Sequence, residues 1–172
     1  MVTCSAQAPL EAASRYKAYR QLANENKLPD SLYNSYGSYS KMMGIVASEY
    51  GNGKYSEKEL LAAIGKPDRY CVPGKCKNEG DSVLLHELEA IERGEEAKNL
   101  SPDEFKKLAA QLNKSKNRAD SALVDYSEIV ELMKVKKNVS YLIYLWRGYH
   151  DFLFFVSDNG RITYCNWYFA ME

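Results

Sequence analysis

Apolar and polar positions alternate most regularly in the last third of the chain. Three runs rich in aromatic and β-branched residues, 141–146, 151–156 and 161–169, are separated by short polar breaks. Such residues fit a pleated, half-buried surface, so the pattern predicts a three-stranded antiparallel meander over residues 140–169. Asp158-Asn159-Gly160-Arg161 is a hairpin signal, because Asn-Gly takes the positive φ angles of a type I′ turn. In Arg147-Gly148-Tyr149-His150 the glycine stands at the first central position of a type II′ turn.

These turns imply a register. Phe154 falls opposite Cys165, Phe152 opposite Trp167 and Asp151 opposite Tyr168. Leu145 falls opposite Phe152 and Trp146 opposite Asp151. Because side chains alternate between faces, a slip of one residue would exchange the two sets. In this register Tyr141, Ile143, Leu145, Phe152, Phe154, Val156, Thr163, Cys165 and Trp167 make an ordinary core face. Leu142, Tyr144, Trp146, Asp151, Leu153, Phe155, Ile162, Tyr164, Asn166 and Tyr168 share the other. That second face is too apolar for water, and helices, a ligand or a partner chain must cover it.

Upstream the period changes to that of helices. Residues 1–8 read as a loose tail and residues 9–135 as mainly helical. A first helix starts at Pro9 and stops before Pro29, and a second lies within residues 38–50. Ser56 with Glu59 forms a capping box for a third, which Gly65 and Pro67 close. Asp68-Arg69-Tyr70 leads into an extended segment. Further helices are expected over 82–93, from Ser101-Pro102-Asp103-Glu104 to about 116, and over 126–135, followed by a basic end at Lys134, Lys136 and Lys137. The expected fold is α+β, with helices packed on a C-terminal antiparallel meander. A length of 172 residues is most simply one domain.

Composition adds exclusions. Lysine plus arginine and aspartate plus glutamate number 23 each, so no basic excess points to nucleic acid. No run is long and apolar enough for a membrane span, and no charged segment followed by an apolar stretch marks a secretion signal. A cytoplasmic setting with reduced cysteines is expected. The 14 tyrosines suit a binding surface as well as a wet-edged core.

Leu60-Leu61-Ala62-Ala63-Ile64-Gly65-Lys66-Pro67-Asp68, a short helix with a Gly-x-Pro-Asp exit, resembles small domains of the SmpA/OmlA type, related in fold to the β-lactamase inhibitor protein. The Asp158-Asn159-Gly160 hairpin is similar to theirs. The resemblance covers about a quarter of the chain, and this chain inserts about seventy mostly helical residues before the meander. It implies helices on an antiparallel sheet and a role in protein–protein binding.

Asp151 is the leading candidate for chemistry. Beside Trp146 and Tyr168, with Asn166 diagonal to it, a desolvated carboxylate would serve as general acid or base. The plainer reading is a rim carboxylate capping a turn or pairing with Arg147. His150 could shuttle protons or simply complete the turn. Tyr168, Tyr164, Asn166 and Arg147 would orient polar atoms, and Tyr144, Trp146 and Phe155 would stack on a ring. The expected function is binding of a mostly apolar, ring-containing small molecule, with cofactor-free isomerase, cyclase or lyase chemistry if there is a reaction. The alternative is a protein-binding or inhibitor module using the same face. Cys71 and Cys76 with His86 offer only three ligands at a generic spacing, so no metal is expected. No cofactor motif is present, and the oligomeric state is left open.

Overall fold

Local capping sets the starts of three helices. The computed structural model describes residues 7–33, 37–72, 79–119, 121–133, 138–147 and 151–169. Helix α1 spans Gln7–Asn24, α2 Asp30–Tyr33, α3 Ser38–Tyr50 and α4 Glu57–Ile64. Ser56 accepts from the Glu59 N–H while Glu59 reaches back to the Ser56 N–H, so the expected capping box starts α4. Gly65, at φ 87°, ends it. At the end of α1, Lys27 N–H donates to Leu22 O at 2.8 Å and Asn26 N–H to Ala23 O at 3.0 Å. With Asn26 at φ 54°, this is a Schellman end with asparagine in the left-handed position, five residues before the predicted stop was needed. Residues 1–6 of the expected tail lie outside the described residues, and Gln7 and Ala8 belong to α1.

Strand β1 is Arg69–Cys71, β2 Val139–Arg147, β3 Asp151–Asp158 and β4 Arg161–Phe169. They form one antiparallel sheet in the order β1-β2-β3-β4, so the fold is α+β, with the expected meander extended by the segment after Asp68. The chain gathers into two compact units, Met1–Val72 with Asn138–Glu172, and Pro73–Lys137. The first holds α1 to α4 and the sheet.

The Asn159-Gly160 turn is as predicted, with both residues at positive φ and Asp158 paired to Arg161. The register beyond it is not. Ser157 pairs with Ile162 but Val156 pairs with Tyr164, leaving Thr163 as a bulge. Phe155 therefore stands opposite Cys165, Leu153 opposite Trp167, Phe152 opposite Tyr168 and Asp151 opposite Phe169. A physical cause lies in the α3–α4 loop. Ser56 bridges Arg161, and Ile162 N–H donates to Tyr55 O at 2.9 Å, so the start of β4 is tied on its outer side independently of β3. In the first hairpin Leu145 does pair with Phe152, but a second irregularity at Trp146 brings Arg147, not Trp146, opposite Asp151. Residues 148–150, including His150 and the predicted type II′ turn, lie outside the described residues.

Helices cover the face that needed a cover. Leu142, Tyr144, Trp146, Leu153, Phe155 and Ile162 form one core with Tyr16 of α1, Met43 and Val46 of α3, and Leu60 and Ile64 of α4. Cys165 and Trp167 pack against it.

The second unit is α5 (Glu79–Lys98), α6 (Pro102–Ser115) and α7 (Tyr126–Leu132). Ser101 caps the helix at the expected start with proline in the first turn, and Glu104 completes a capping box there. The helix expected over 82–93 is longer at both ends, and α7 stops at Leu132 because Met133 is extended. Asp125 and Glu128 form a further capping box. Glu128 also takes Lys116 at 2.6 Å and Arg118 in a two-pronged contact at 2.8 and 2.9 Å, and these cations hold its carboxyl at about 2. Residues 134–137, with the expected basic end, lie outside the described residues.

Candidate functional site

The bulge at Thr163 decides which aromatic residues meet. Cys165 and Trp167 move to the helix-covered face, while Tyr164, Asn166 and Tyr168 move to the opposite one. There Tyr168 stacks on Phe152 with ring centroids 4.6 Å apart, Tyr164 meets Phe154 edge-on at 6.0 Å, and Asn166 Nδ2 donates to Tyr164 OH at 2.6 Å. The expected cluster of Asp151, Trp146, Tyr168 and Asn166 is thus divided between two faces. Asp151 stays at the end of the sheet, half-buried and in register between Arg147 and Phe169.

Tyr144 and Phe155, expected to stack on a ligand, are fully buried core residues packed edge to face at 5.8 Å. Burying such a side chain contributes about 1.5–3 kcal/mol. Exposing both for a ligand would cost much of a domain's net stability, so they serve the fold.

Helical cover ends toward the last residues of β4. There Trp146, Trp167 and Phe169 come together. Trp167 and Phe169 lie nearly parallel at 5.8 Å, two positions apart on one face of β4. Trp146 stands across both, at 5.4 Å from Trp167 and 6.3 Å from Phe169. With Ser40 and Gly44 of α3, these rings line an open cleft of about 440 Å³. A Cβ added at Gly44 would meet nothing within 4 Å, so this helix glycine leaves room above the rings. Trp146 and Trp167 are the chain's two tryptophans. Trp146 was assigned to a binding face by sequence. Trp167 and Phe169 were not, because the unbulged register turned Trp167 the other way.

A second cluster joins α1, the α4 exit and the sheet. Arg20 Nη2 donates to Asp68 Oδ1 at 2.8 Å, and Leu145 N–H donates to Asp68 Oδ2 at 2.9 Å. The Arg20 guanidinium lies 4.8 Å over the Tyr144 ring, whose hydroxyl donates to Gly65 O at 2.9 Å. Burial and the neighbouring Tyr39 push the Tyr16 hydroxyl well above its ordinary pKa, and burial does the same to Tyr144. The Gly65-x-Pro67-Asp68 exit is therefore a structural clamp. Tyr16 and Arg20 lie one helical turn apart on α1, and nothing local links them to Asp68, 48 residues after Arg20.

Cys71 is buried and Cys165 half-buried, and burial pushes the Cys165 thiol up. Cys76 lies outside the described residues, and His86 is exposed on α5. Among the described residues no three His, Cys, Asp or Glu side chains gather as a metal site, and no helix is long and apolar enough to cross a membrane. No protein-family model, curated protein or solved structure matches the chain.

Proposed function

We propose that this protein is a binding module that seats an apolar ring group in the cleft between α3 and the end of the sheet. The supporting observation is the open space bounded by Trp146, Trp167 and Phe169 beneath Gly44. Its volume of about 440 Å³ suits one or two rings, and ligand sites are typically apolar with few polar groups. Ser40 is the polar side chain of its lining. Acid–base catalysis by Asp151 with Tyr168 is not part of this reading, since the two side chains stand on opposite faces.

The test is a panel of small non-fluorescent ring compounds, followed by the indole N–H resonances of Trp146 and Trp167. Fragments of this size in such a cleft should bind with Kd of roughly 0.1–1 mM. Gly44→Leu, which fills the cleft, should weaken them at least tenfold. Binding that is equal in Gly44→Leu and wild type would refute the proposal.

A further inference from the structure

The cleft adjoins a strand edge. β4 is the last strand of the sheet, and its first residues are already paired on the outer side. Glu57 N–H donates to Gly160 O at 2.8 Å, Ser56 bridges Arg161, and Ile162 N–H donates to Tyr55 O at 2.9 Å. Arg161 Nη1 adds a bond to Gly53 O at 2.9 Å. Gly51 sits so close to Cys165 that an added Cβ would come within 2.5 Å of the cysteine Cβ. Residues 51–57 thus run antiparallel along β4 as far as Cys165, where the chain turns up into α3.

Past Cys165 the arrangement changes. Trp167 N–H donates to Asn166 Oδ1 at 2.8 Å, a side chain of its own strand. Asn166 is held in that position through Nδ2, which donates to Tyr164 OH at 2.6 Å. A side-chain amide therefore stands where the backbone carbonyl of a neighbouring strand would bond. Immediately beside this position Trp167 and Phe169 present their rings to the cleft, and Phe169 is 54% exposed.

We propose that an extended peptide adds to β4 at Trp167–Phe169, in line with the pairing that residues 53–56 make at its start. A peptide carbonyl replaces Asn166 Oδ1 on the Trp167 N–H, and one apolar side chain of the peptide enters the cleft among Trp146, Trp167 and Phe169. The occupant is an extended segment with a large apolar residue flanked by residues of high strand propensity. Main-chain bonds to a sheet edge supply affinity, and a pocket for alternate side chains supplies selectivity. Short, partly covered edges of this kind avoid indiscriminate pairing, which fits a donor masked by Asn166. The proposal rests on the reading of the cleft as a ring site and names its occupant.

The experiment is selection of a phage-displayed random heptapeptide library on the full-length protein, with the selected peptides resynthesised. The selected peptides should share an aromatic or large aliphatic residue at one position and shift the tryptophan emission, since both tryptophans line the cleft. N-methylation of alternate backbone amides should weaken one of the two alternating sets at least tenfold. Asn166→Ala should bind the peptides severalfold tighter while strengthening ring fragments less, and Gly44→Leu should lose both. Failure to enrich any such peptide overturns the proposal, as does binding indifferent to N-methylation at every position. If ring fragments still bind wild type and not Gly44→Leu, that failure leaves the ring site standing. If the fragments also ignore Gly44→Leu, the ring site itself falls.

Discussion

Replacing Asp68 by alanine tests how the α4 exit is held to the rest of its unit. The carboxylate takes Arg20 Nη2 on one oxygen and the Leu145 N–H on the other, at 2.8 and 2.9 Å. The Arg20 and Asp68 side chains are 12% and 21% exposed while Asp68 as a whole residue is exposed, so the pair is only partly shielded from water. An exposed pair would contribute about 0–1 kcal/mol. Removing one partner of a fully buried pair costs about 3–5 kcal/mol, because the other charge stays behind unpaired, so this partly shielded pair falls between the two limits at about 1–3 kcal/mol. The orphaned Leu145 N–H adds about 1–3 kcal/mol, while the Tyr144 ring under Arg20 returns about 0.5–2 kcal/mol. The expected loss centres on about 3 kcal/mol, a large share of a typical domain stability of about 5–15 kcal/mol. With an m-value of about 2 kcal/mol/M, the urea midpoint should fall by roughly 1.5 M. Tryptophan emission reads this transition cleanly, since Trp146 and Trp167 both belong to the sheet unit. Asp68→Asn should lose less, and Arg20→Met combined with Asp68→Asn should recover part of the loss. A loss below about 1 kcal/mol in Asp68→Ala would refute the argument, because the pair would then be behaving as an exposed one.

Other predictions concern single groups. Gly51→Ala should cost about 1–3 kcal/mol in thermal denaturation, because its Cβ would lie 2.5 Å from Cys165 Cβ and 2.7 Å from Ala47 O although φ is an ordinary −79°. Gly44→Ala should instead gain about 1 kcal/mol, since the added methyl meets nothing and alanine favours helix. Glu128 is held at about 2, below its unfolded value, so its contribution is full above pH 4.5 and is lost as pH falls toward 2. A carboxyl NMR titration giving Glu128 an ordinary value would contradict that. Cys165 should resist alkylation at neutral pH until urea is added, and rapid labelling of the native protein would show its burial to be wrong.

Much of the fold was legible because it is written in short-range chemistry. Ser56 with Glu59, Ser101 with Glu104, and Asn159-Gly160 each satisfy their own backbone groups within four residues, so position in the sequence suffices. Asp125 with Glu128 carries the same signature and went unread. The candidate site was legible only in part. Trp146 could be assigned to a binding face, but the bulge at Thr163 depends on Tyr55 and Ser56, which lie more than a hundred residues earlier. One extra residue there carried Trp167 into the cleft and Tyr164, Asn166 and Tyr168 out of it. Arg20 and Asp68 were unreadable as a pair for the same reason, since neither has a local motif that names the other.

The insertion of Pro73–Lys137 within the sheet unit has a consequence for the timing of folding. Leu145, whose N–H completes the bonding of Asp68, follows it by 77 residues. At about 5–20 residues per second, a ribosome takes roughly 4–15 s to make that stretch. Helices α1 to α4 therefore emerge with their apolar faces uncovered and must wait for β2 to β4. Between them, α5 and α6 meet α7, and all three are made before β2 leaves the ribosome. The middle unit is thus fully synthesised before the sheet unit receives its last three strands.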